Sequence, residues 1–162
     1  MKHILEPDRC KEILSECVSS VFADTAFIDV VPTENIEENA GIENIVFDHC
    51  AIIDVLMPVS CRIVLHIQKS LSKKIAETLF AGLDESEGEP QKKAEDSILE
   101  ILNIIAGLFL SRYFGTGTDI QLELPQYLYE ENERHGQLVT NFRMDAEGER
   151  IDVALCSVRY PY

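Results

Sequence analysis

The chain has 162 residues, which suits one domain large enough to enclose a core. With 46% hydrophobic and 27% charged residues it has an ordinary globular composition, and no apolar run reaches the length of about 18 residues that a membrane span needs. The net charge of −15, from 29 acidic and 14 basic residues, disfavours nucleic acid and anionic lipid, which require clustered cations, but leaves protein partners open.

The N-terminus, MKHILEPDRC, is too charged for a signal peptide, so a cytoplasmic protein is expected. Cys10, Cys17, Cys50, Cys61 and Cys156 form no CxxC pair. His3, His49, His66 and His135 stand at no metal-motif spacing from a Cys or carboxylate, so no bound metal is expected. His49 and His66 fall in strand patterns and are read as partly exposed strand positions.

In chain order, Glu6 to Phe22 reads as a helix, with Leu14, Val18 and Phe22 on one face and Pro7 in its first turn. Phe27 to Val31 is a short β-branched run closed by Pro32, and a polar loop follows from Thr33 to Glu43. Ile45 to Met57 and Cys61 to Ile67 predict a hairpin broken at Pro58. In its second strand Arg62 and His66 occupy the polar face. Ser70 opens a second helix that presents Leu71, Ile75, Leu79 and Phe80 and stops at Gly82. After an acidic linker, Pro90 starts a long helix. Ile120 to Leu124 is a strand closed by Pro125. Leu138 to Met144 and Ile151 to Val158 form a second hairpin around Asp145 to Gly148.

That order repeats. Each half runs helix, short strand ending in Pro (FIDVVP, IQLELP), then two longer strands, over about 6–82 and 90–158 of a single domain, 1–162. The expected fold is α+β: two pseudo-symmetric three-stranded antiparallel units form a six-stranded layer, with helices packed on it.

The long helix, Ala94 to Tyr113, is apolar over most of its circumference. Its exceptions are Asp96, Glu100, Asn103 and Gly107, at i, i+4, i+7 and i+11. At about 100° per residue they fill roughly 60° of arc, a single polar stripe. Asn and Gly are poor helix formers, the Gly costing about 1 kcal/mol against Ala, so a merely solvated face would more cheaply carry Glu, Lys or Gln. The first helix carries Asp8, Glu12, Ser15 and Ser19 at the same offsets, with Ser where the second copy has Asn.

Three chemistries are weighed for such a stripe. Glu100 as a general base lacks a His or a firmly placed second carboxylate, Asp96 being the nearest candidate. Nucleophilic catalysis fails because Ser97 points about 100° from the stripe and no Ser-His-Asp or Cys-His grouping occurs. Docking onto a partner that carries the reactive group needs neither. A carboxamide can donate to and accept from one water, and holding that water in line with a phosphoryl group is catalysis by positioning. The plainest alternative is a solvated edge on a core helix.

At these residues the chain resembles a family. Asp96-x-x-x-Glu100-x-x-Asn103-x-x-Ala106-Gly107, with Pro125 22 residues beyond Asn103, is similar to the signature of the CheC, CheX and FliY chemotaxis phosphatases, and the element order resembles their CheX-like members. The resemblance implies an acylphosphate hydrolase whose substrate is the aspartyl phosphate of a CheY-like response regulator. It implies that Asn103 orients the attacking water, that Glu100 pairs with the receiver's active-site Lys, and that Asp96 and Gly107 belong to the docking face. The Mg²⁺ of such a reaction is expected in the partner receiver, with no cofactor bound by this chain. CheX-like members keep one competent stripe and form homodimers, and both properties are expected here. The alternative within the resemblance is a receiver-binding scaffold without catalysis.

Overall fold

The structure is a computed structural model that describes residues 4–33, 49–81, 89–129 and 135–159. In chain order the elements are α1 (Pro7–Ala26), β1 (Val30–Pro32), β2 (His49–Met57), β3 (Cys61–Ile67), α2 (Lys69–Leu79), α3 (Pro90–Phe114), β4 (Gln121–Leu122), β5 (Gln126–Leu128), β6 (Gln137–Ala146) and β7 (Glu149–Ser157). The expected α+β architecture is present. One antiparallel sheet runs β1-β6-β7-β3-β2-β4, and β5 also pairs with β2 as a seventh strand. The additional strand forms after Pro125, where the sequence pattern had ended. The predicted loop 34–43, the start of the first long strand and the stop at Gly82 lie outside the described residues.

Sheet order ties the two halves of the chain together. The hairpins β2–β3 and β6–β7 meet at the centre, where β3 pairs with β7 from Cys61↔Ser157 to Ile67↔Ile151. Each hairpin takes its outer strand from the other half: β1 pairs with β6, and β4 and β5 pair with β2. Both local turns follow backbone chemistry. Glu147 (φ 54°) and Gly148 (φ 89°) both have positive φ between β6 and β7, as a two-residue hairpin of right-handed twist requires. The turn between β2 and β3 carries a cis Met57–Pro58 peptide bond.

All three helices cover one face of the sheet. Leu14, Val18 and Phe22 of α1, Leu71 and Ile75 of α2, and Ile98, Ile101, Leu102, Ile105 and Phe109 of α3 form one core with Ile53, Ile63, Leu65, Val153 and Leu155 from the strands. By length and composition α3 could cross a membrane, despite the charged residues at its start. In this fold its apolar side chains lie against α1, α2 and the sheet. Tyr113 fastens α3 to the start of α1: its hydroxyl accepts from the Glu6 amide (2.9 Å) and donates to the Ile4 carbonyl, and the Arg9 guanidinium lies 4.4 Å from its ring centre.

Two histidines depart from the sequence reading: His49 and His66 are buried, at 7% and 9% exposure, rather than partly exposed. His49 lies on the helix-covered face, with Nε2 3.0 Å from Ser72 Oγ of α2. His66 lies on the opposite face, which has its own apolar cluster of Ile52, Val64, Ala154 and Cys156. Ion pairs flank it: Arg62 grips both oxygens of Asp54 (2.6 and 2.9 Å), while Arg143 and Arg150 each reach Asp152 at 3.1 Å. His66 faces Asp152 across the β3–β7 ladder.

Burial pushes the His66 pKa down to about 4, against a smaller upward pull from Asp152. A folded-state pKa below the unfolded value means that the unfolded chain takes up the proton first as pH falls. The His66 contribution is therefore intact above about pH 6.5 and lost between there and pH 4, amounting to about 2 kcal/mol by pH 5. Denaturant unfolding of wild type and His66→Asn at pH 7 and pH 5 should show the wild type losing more stability than the variant. Parallel losses would contradict this.

Candidate functional site

The site is built on α3. Glu89 supplies an extended residue before Pro90, which fits the first turn because it has no amide hydrogen to satisfy, and Gly115 (φ 90°) ends the helix with its amide on the Ser111 carbonyl. Between these ends the inner face is fixed by fully buried Ile98, Ile101, Leu102 and Phe109. The backbone positions from which the outer-face side chains project are consequently fixed.

The structure brings the predicted stripe residues together on that face. Asp96, Glu100 and Asn103 are exposed and Gly107 is half-buried. Among the described residues, neither the Glu100 carboxylate nor the Asn103 carboxamide has a hydrogen bond or ion pair. Ser97 is buried and donates 2.6 Å to the Lys93 carbonyl, which removes it as a nucleophile. The stripe is wider than predicted, because Ile104, assigned to the apolar face, is 36% exposed. A second addition is Tyr129, 76% exposed, whose hydroxyl donates 2.8 Å to Glu95 Oε2 beside Asp96. The sequence signal for it was the alternation of Tyr127 and Tyr129 after Pro125, which places both rings on one side of a strand.

The matching stripe on α1 is occupied internally. Ser15 donates to the Glu12 carbonyl of its own helix (2.9 Å), and Ser19 donates to the Val30 carbonyl of β1 (2.7 Å). Those two hydroxyls are spent on the fold, whereas the equivalent positions of α3, Asn103 and Gly107, have polar or open surface facing outward. An exposed carboxamide with a carboxylate one turn before it can bind a water on one side and a cation on the other. Among the described residues no group of three His, Cys, Asp or Glu side chains converges as metal ligands would.

Comparison with solved structures places this helix-on-sheet domain among CheX- and CheC-like folds. Chemotaxis protein CheX from Desulfovibrio desulfuricans superposes with a TM-score of 0.72 at 13% identity, covering 91% of this chain and 98% of that one. CheX from Vibrio vulnificus gives 0.71 at 14% identity, with 91% and 98% covered. CheX in a CheX–CheY–BeF3–Mg²⁺ complex from Borrelia burgdorferi gives 0.62 at 19% identity, with 90% and 96% covered. No match was found among curated protein sequences. The family model described as chemotaxis phosphatase CheX matches residues 49–143, a span that contains α3 and Pro125 and leaves out α1. The chain belongs to this family of chemotaxis phosphatases.

Gly107 offers a direct check on the stripe. A Cβ built there meets nothing within 4 Å, and no left-handed φ requires glycine. The fold itself therefore does not demand Gly107, and Gly107→Ala should stabilise the chain by roughly 0.5–1 kcal/mol in denaturant unfolding. A destabilised variant would show an internal role for the glycine.

Proposed function

We propose that this chain hydrolyses the aspartyl phosphate of a CheY-like response regulator by inserting the α3 stripe into the receiver's active site. The observation that carries the proposal is the pair Glu100 and Asn103: exposed, without partners among the described residues, and held by a helix whose inner face is buried. Family membership supports it. So does the Borrelia complex, in which CheX of this fold is found with CheY, BeF3 and Mg²⁺. BeF3⁻ has the charge and shape of a phosphoryl group.

In this reading Asn103 holds one water through its carboxamide, in line with the phosphorus. The water oxygen bonds to phosphorus and the bond from phosphorus to the aspartyl oxygen breaks. The products are inorganic phosphate and the receiver's carboxylate. Glu100 pairs with the receiver's active-site Lys and fixes the depth of insertion. Asp96 adds a second negative contact, and Gly107 lets the receiver approach the helix backbone closely. The Mg²⁺ of the reaction is the receiver's. The same reading includes a cytoplasmic homodimer with one competent stripe per chain, a state that sizing at several concentrations would test.

Asn103→Ala should lower the rate of receiver dephosphorylation by about 100-fold or more while leaving folding unchanged, because the lost group only positions the water. Glu100→Ala should weaken receiver binding as well as the rate. Phosphate release from a phosphorylated receiver checks both. Variants that match the wild type would sink the proposal, and a wild type that binds the receiver without accelerating phosphate loss would favour the scaffold reading.

A further inference from the structure

Beside the stripe stands an aromatic side chain that the proposed reaction does not use. Tyr129 follows β5, and α3 packs against that strand. Its hydroxyl is tied to Glu95, and the charge of Asp96, the first stripe residue, also reaches it. Its ring centre lies 4.7 Å from that of Tyr127, at an angle of 56°. Tyr127 is anchored in turn: its hydroxyl bonds His49 Nδ1, its ring meets the His49 ring edge-on, and buried His49 places Nε2 3.0 Å from Ser72 Oγ. The exposed ring thus rests on a chain of contacts that ends in fully buried Ser72 on α2.

Exposure and fixation together are informative. Leaving a ring in water gains no burial on folding, yet this one is held in one orientation from two sides. A held aromatic loses little side-chain entropy when a partner covers it, which is why Tyr is enriched among the residues that dominate interfaces. Its position is also continuous with the stripe: Tyr129 borders the Asp96 end and Ile104 the side, so apolar surface frames the polar groups.

We propose that Tyr129 is a second docking residue, its ring packing on the same phosphorylated receiver domain that the stripe engages and setting affinity rather than the chemical step. The inference rests on the phosphatase reading above. It is tested with the full chain in the variants Tyr129→Ala and Tyr129→Phe. Dephosphorylation is followed over a range of receiver concentrations, and binding is measured to a beryllofluoride-activated receiver. Tyr129→Ala should raise KM and Kd about 10-fold with kcat within about twofold of wild type. Tyr129→Phe keeps the ring and should stay within about threefold on all three constants. An unchanged Kd for Tyr129→Ala, or a kcat loss at constant KM, overturns the inference. If the wild type accelerates phosphate loss and Asn103→Ala does not, while Tyr129→Ala behaves as wild type, only the Tyr129 inference fails. A wild type that neither binds nor acts on the receiver removes the phosphatase reading and the inference together.

Discussion

The burial of α3 is the constraint on which the rest depends. Ile98, Ile101, Leu102, Ile105 and Phe109 are sealed against the sheet and the neighbouring helices, so the helix cannot rotate without exposing them. Tyr113 secures its C-terminal turn to the segment preceding α1, through one hydrogen bond in each direction. The backbone of the narrow face left over is therefore fixed by the core behind it. A positioning mechanism needs that rigidity, because a displacement of about 1 Å at a reacting centre can cost 100-fold in rate.

The sheet explains why the two helices that carry stripes have different fates. Its strand order is matched end to end, with β1 beside one hairpin and β4 beside the other. On the first side, Ser19 ties α1 to β1, and Ser15 satisfies its hydroxyl on its own helix. On the second side, no comparable bond joins the described residues of β4 to Asn103 or Gly107. A serine can be absorbed by a nearby carbonyl, whereas a carboxamide without partners keeps its donors and acceptor for something outside the chain. The difference between one stripe and the other comes down to two side chains and their hydrogen bonds.

Much of this was legible in the sequence because it is local. Helix periodicity located α3 and its stripe, and Pro90 marked its start. Alternation gave the two hairpins, and the element order gave an antiparallel layer with helices on one side. What stayed hidden depends on distant partners. The exchange of outer strands between halves cannot be read from either half alone. His49 and His66 looked half-exposed, but Ser72 of α2 stands against His49, and the outer face on which His66 lies buries Ile52, Val64 and Ala154. Ile104 looked like core because it is apolar, yet it is 36% exposed. Tyr129 acquires meaning only when β5 pairs with β2 and brings the ring to Glu95.

The most direct measurement is a chemical-shift titration of the isotope-labelled chain with a beryllofluoride-activated receiver. The account predicts that the largest perturbations fall on backbone and side-chain amides from Asp96 to Gly107, with the Asn103 carboxamide among them, and that α1 from Asp8 to Ser19 stays unperturbed. Perturbations centred on α1, or none on α3 at saturating receiver, would contradict it.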